Sequence, residues 1–126
     1  MARKKSPQLT DAELRLMHVL WEKGPSTVNT VVESLNANPP LAYSTVITTL
    51  RILETKGYVR HKKEGRAFLY EPLTGRSEAR QSAVASLVGR FFAGSPELLM
   101  AHLFAGHKIS ARELERLQAL IREEKS

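Results

Sequence analysis

Residues Ala42–Ile52 read AYSTVITTLRI, and seven of these eleven residues (Tyr43, Thr45, Val46, Ile47, Thr48, Thr49 and Ile52) are β-branched or aromatic. By propensity alone such a run is a strand. The pattern says otherwise. Val46-Ile47 and Thr48-Thr49 are adjacent like pairs, which break the alternation that a half-buried strand requires. Wound as a helix, the same residues separate. Val46, Leu50 and Leu53 share one side with Ile47 on its shoulder, while Ser44, Thr48, Arg51 and Thr55 line the other. Lys56-Gly57 then supplies a cation for the helix C-terminus and a glycine for a left-handed cap.

After Gly57 the period changes. Tyr58–Lys62 and Arg66–Tyr70 are short β-rich runs separated by Lys63-Glu64-Gly65, a hairpin-length connection. Upstream, Thr10-Asp11-Ala12-Glu13 is a capping box, with Leu9 and Leu14 as the staple pair. Leu14, Met17, Leu20 and Trp21 follow at helical spacing up to Gly24-Pro25. Ser26 is the expected N-cap of a second helix carrying Val28, Val31, Val32 and Leu35, and Asn36–Pro40 with its two prolines reads as a loop. Three helices and then a basic hairpin form the layout of a winged helix-turn-helix, whose third helix enters the major groove while the wing lies along phosphates.

In that layout the outward residues define a DNA-binding surface. Tyr43, Ser44, Thr45 and Thr48 are the candidates for base edges, because small hydroxyl side chains let the helix sit close to the bases and its first amides face phosphate. Threonine methyls suit thymine methyls, so A·T-containing sites fit better than guanine runs. Arg51, one turn further on, reaches a base or a phosphate. Arg60, Lys62, Lys63 and Arg66 are the candidate phosphate contacts on the wing.

Charge and composition agree with this. The 126 residues carry 19 Lys and Arg against 13 Asp and Glu, a net +6, and Lys56–Arg66 holds five of the cations against Glu64 alone. Clustered positive charge suits a polyanion. There is no transmembrane-length apolar run and no secretory signal pattern, so the expected location is the cytoplasm. The absence of cysteine excludes disulfides, thiolate metal sites and cysteine nucleophiles. Of the four histidines, His102 and His107 stand at i+5, off a shared helix face, and no nucleophile–base constellation stands out. We therefore expect no enzyme activity, no metal and no cofactor.

The C-terminal half is built for association. Val84, Leu87, Val88, Phe91 and Phe92 form an apolar stripe, and Gly94 ends that helix. Ser95-Pro96 opens a helix with Leu98, Leu99, Leu103 and Phe104, and Ser110–Glu113 is a second capping box leading into Leu117, Leu120 and Ile121. Three short amphipathic helices make a poor independent core. Either they pack on the preceding domain or, as we expect, they pair with a second copy in a homodimer.

LTDAELRLMHVLWEKG, LAYSTVITTLRILETKGYV, EGRAFLYEPL and FFAGSPELLMAHL together resemble the BlaI/MecI/CopY family of bacterial repressors, the penicillinase repressors, over essentially Leu9–Ile121. The resemblance implies a mainly α fold with a small β-hairpin: a winged-helix DNA-binding domain, here residues 1–74, then a three-helix dimerisation domain, residues 75–126. It implies a double-stranded DNA operator with TACA/TGTA half-sites, read by a homodimer, with Ser44, Thr45 and Thr48 at operator-reading positions and Arg66 on the wing. Staphylococcal members carry basic residues where Ser44 and Ile47 stand. The β-lactam branch further implies release by a membrane sensor metalloprotease that cleaves within the dimerisation domain. The corresponding segment is Leu99–Gly106, without the Asn-Phe pair of those members, and cleavage is expected near His102–Phe104. The copper-responsive branch carries a cysteine cluster that is absent here. The alternative functions are a winged-helix module that binds a protein partner and a ligand-responsive winged-helix regulator.

Overall fold

The computed structural model describes residues 8–35 and 41–125; the expected proline loop at 36–40 lies outside the described residues. Helix α1 (Asp11–Lys23) starts at the capping box, where the Glu13 amide donates to Thr10 Oγ1 at 3.1 Å and the Thr10 amide donates to Glu13 Oε1 at 2.9 Å. Its buried face is Leu16, Met17 and Leu20. Leu14 and Trp21, expected on the core stripe, are only half-buried, because that stripe turns by one position toward Leu16.

Ser26 is not a helix cap. Ser26–Thr27 form a two-residue strand, β1, and Thr27 takes the capping role in front of α2 (Val28–Leu35), its Oγ1 accepting from the Thr30 amide at 3.2 Å. A strand so short has no period to detect. Helix α3 (Tyr43–Lys56) is the opening stretch. Val46, Leu50 and Leu53 are fully buried against α1 and α2, and Ile47 packs at the edge of that core. Tertiary burial outweighs the β propensity of the run.

Gly57 closes α3 in the left-handed region, at φ 92° and ψ 12°. Strands β2 (Val59–Glu64) and β3 (Ala67–Pro72) then pair antiparallel, and β1 joins the other edge of β3 to give the order β1-β3-β2. Lys63 and Glu64 belong to the strand rather than to the loop. Glu64 lies opposite Ala67, so the turn is Gly65-Arg66, with glycine at φ 62° in the first central position as a type II′ turn demands.

The chain forms two compact units, residues 1–86 and 87–126, and the division falls within α4 (Arg76–Phe91). In the second unit, α5 (Pro96–Gly106) begins with Ser95 Oγ accepting from the Leu98 amide at 3.1 Å. Helix α6 (Ala111–Lys125) begins with the second capping box, the Glu113 amide donating to Ser110 Oγ at 3.1 Å and the Ser110 amide to Glu113 Oε1 at 2.9 Å. These hydrogen bonds hold the Glu113 carboxyl below its usual range. α5 buries no side chain fully, and no helix among the described residues is long and apolar enough to cross a membrane.

The left-handed turn at Gly57 makes one substitution informative. Gly57→Ala forces a Cβ into a conformation that costs about 1–2 kcal/mol for an L-residue. Urea denaturation of the variant is expected to show a stability loss of that size, and an unchanged midpoint would mean that the turn relaxes.

Candidate nucleic-acid interface

The face of α3 away from the core carries Tyr43, Ser44, Thr45, Thr48 and Arg51, all exposed. Among the described residues, the hydroxyls of Ser44 and Thr48 make no hydrogen bond, whereas Thr49 and Thr55 turn theirs back onto the carbonyls of Thr45 and Arg51, at 2.8 and 3.0 Å. Half-buried Thr49 and exposed Thr55 are thus spent on the helix itself. The N-terminus of α3 differs from those of α1, α5 and α6. Its cap residue is Ala42, which has no side-chain acceptor, so the first-turn amides stay open to an anion.

The wing is tied to this helix through His61. His61 Nδ1 donates to the Glu54 carboxylate, 2.8 and 2.9 Å from its two oxygens, and the His61 ring packs on Phe68 and Tyr70 at 5.1 and 5.3 Å. The Tyr70 phenol is pushed above its usual range by burial first and by the Glu54 carboxylate second, while the nearby positive charge of Arg51 acts in the opposite direction. Because opposed residues on antiparallel strands share a face, His61, Lys63, Phe68 and Tyr70 lie on the side toward α3, while Arg60, Lys62, Leu69 and Glu71 lie on the other.

The basic cluster read from the sequence resolves into two sets. Lys56 is taken up inside the fold, its Nζ 2.8 Å from Oε1 of buried Glu13 and 3.2 Å from the Gln8 carbonyl. Arg60 pairs with Glu71, directly across the ladder. Lys62, Lys63 and Arg66 are exposed and have no carboxylate partner among the described residues. Free positive charge is therefore confined to the distal half of the wing.

Tyr43 and Arg66 face the same groove. Together with Thr27, Asn29, Ile47 and Phe68 they line a groove of about 320 Å³ bounded by α2, the start of α3 and the wing turn. Asn29 is an exposed amide in this groove that no local sequence signal singles out, since its position depends on where α2 starts and where the wing folds back. Among the described residues no group of three or more His, Asp or Glu is placed to hold a metal ion. His102 packs edge-on against Phe92 at 5.4 Å, and His107 bonds the neighbouring Gly106 carbonyl.

Comparison with known proteins matches the penicillinase repressor family model over residues 9–123. The chain is 31% identical over 123 residues to the penicillinase repressor of Bacillus licheniformis, an alignment that covers 98% of this chain and 96% of that one. It is 35% identical to the transcriptional regulator BlaI of Mycobacterium tuberculosis, with 82% and 90% coverage. Among solved structures, the monomeric form of Bacillus licheniformis BlaI in complex with the blaP half-operator is similar with a TM-score of 0.50 and 37% identity, over 60% of this chain and 93% of that one. With the family model spanning nearly its whole length and a relative of 31% identity matched end to end, this chain is a member of the penicillinase repressor family.

Proposed function

We propose that the chain is a transcriptional repressor that binds an inverted-repeat operator as a homodimer, acts in the cytoplasm and works by occupying DNA without catalysis. The observation that carries this reading is the pairing of an exposed hydroxyl face on α3, open at its N-terminus, with a wing whose free cations are Lys62, Lys63 and Arg66. The Bacillus licheniformis relative bound to its half-operator supports it. In this reading Tyr43, Ser44, Thr45 and Thr48 lie against base edges, and Arg51 reaches a base or a phosphate. Lys62, Lys63 and Arg66 hold the backbone. Arg60 contributes less, because Glu71 already neutralises it.

Dimerisation rests on the apolar surface of the C-terminal half. Phe91 (66% exposed), Leu103 (53%), Leu120 (58%) and Ile121 are open to solvent, as are Val84, Leu87 and Leu117. Val88 is already buried within its own chain, and Phe92 and Leu99 are half-buried. A unit this small without a closed core is completed by a second copy, and a two-fold dimer matches a two-fold operator. Release follows from cleavage within α5 by a membrane sensor metalloprotease, near His102–Phe104.

Four measurements test the reading. Fluorescence anisotropy with a duplex carrying an inverted TACA/TGTA repeat is expected to show a preference over scrambled duplex that survives added salt; equal affinities would sink it. Replacing Lys62, Lys63 and Arg66 together with Ala should weaken binding to both duplexes and flatten the plot of log affinity against log salt by about 3. Sedimentation of Phe91→Glu/Leu120→Glu is expected to give a folded monomer where the parent chain gives a dimer. Intact-mass analysis after incubation with the cognate sensor protease should show a cut within residues 99–106, and an unbroken chain would remove the proteolytic step.

A further inference from the structure

The first unit holds a cavity that none of the candidate DNA residues lines. It measures about 220 Å³ and lies between α1, Tyr58 and the first turns of α4. Its apolar surface comes from Leu9, Leu14, Ala79 and Ala83. Trp21 forms a wall that is fixed in place: its Nε1 donates to the Thr74 carbonyl at 2.8 Å, and the His18 ring meets it edge-on at 5.5 Å.

Two arginines line the same space. The Arg76 guanidinium lies over the Trp21 indole, Cζ 5.5 Å from the ring centroid, and Arg80 stands one turn further along α4. Arg76 Nε is buried and donates to no acceptor. A buried, unsatisfied donor on a charged group is rare in a folded protein and calls for an acceptor. Among the described residues no carboxylate lines the cavity.

We infer that this cavity binds a small aromatic carboxylate. The size fits one ring, since an apolar cavity of about 150 Å³ already accepts benzene. The ring rests on the leucine and alanine side chains and the edge of Trp21, where it excludes water. The carboxylate accepts from Arg76 Nε and the adjoining guanidinium nitrogens in the forked geometry that arginine favours, with Arg80 adding charge. A neutral amide of the same shape offers one acceptor oxygen and no charge to the guanidinium, so it loses the charge-assisted fork and binds less well. Because the ligand touches both α1 and α4, its binding stabilises the folded chain by mass action.

Trp21 is the only tryptophan in the chain, so its fluorescence reports this site directly. Full-length protein titrated with benzoate, without DNA, is expected to show a saturable change in emission and a raised thermal midpoint. Benzamide, the neutral isostere, should bind at least about tenfold more weakly. Arg76→Gln should remove the preference for benzoate. Ala83→Leu fills the cavity from an exposed position on α4 and should abolish the response while circular dichroism stays unchanged. A response linear in benzoate, equal binding of benzamide, or parental binding by Ala83→Leu would each overturn the inference. Since no DNA is present, its failure leaves the repressor reading untouched.

Discussion

The functional face depends on the single left-handed residue at Gly57, because there the chain leaves α3 and becomes the wing. Its amide caps the helix at the Glu54 carbonyl at 3.1 Å, and the next amide, of Tyr58, reaches back to the Leu53 carbonyl at 2.9 Å. The Tyr58 carbonyl then accepts from Leu73 at 2.8 Å and Thr74 at 3.4 Å, the two residues that leave the far strand of the wing. One residue thus gathers both ends of the hairpin. With Tyr58 fully buried, the wing has a fixed root, and the Glu54–His61 hydrogen bond ties it to α3.

Internal pairing also decides where charge is available. Lys56 and Arg60 sit at the root and are held by Glu13 and Glu71, while the unpaired cations stand at Lys62, Lys63 and Arg66 toward the tip. Spending carboxylates at the root fixes geometry at positions where a phosphate contact would be of least use. It leaves the tip to contribute the salt-dependent part of any affinity. The hydroxyl face of α3 carries no charge of its own until Arg51, so in the proposed reading discrimination there would rest on shape, methyl contacts and hydroxyl hydrogen bonds rather than on arginine forks.

Much of this was legible in the sequence. The capping boxes at Thr10 and Ser110 are local signals, complete within four residues, and both are present. Helix α3 was legible because periodicity over fourteen residues reports burial, which outweighs propensity. What sequence could not show depends on distant partners. Strand β1 is defined by pairing with Leu69 and Tyr70, more than forty residues away, and the capture of Lys56 by Glu13 joins the start of α1 to the end of α3. The wing turn starts two residues later and ends one residue later than expected because Lys63-Glu64 is as polar as a loop, and only register against Phe68 and Ala67 marks it as strand.

The departure at Ser44 and Ile47 takes on a structural meaning as well. Ile47 is half-buried at the edge of the core and lines the groove shared by Tyr43 and Arg66, so a basic residue there would have to leave the packing and cross that groove. Ser44 lies in the uncapped first turn, where a long cation would stand between the open amides and an approaching phosphate. Short side chains at both places keep the start of α3 low, so that backbone amides and small hydroxyls form the surface. In the proposed DNA-bound state, closeness of approach would then replace side-chain charge as the source of contact, and fit to the groove would be the property this helix reads.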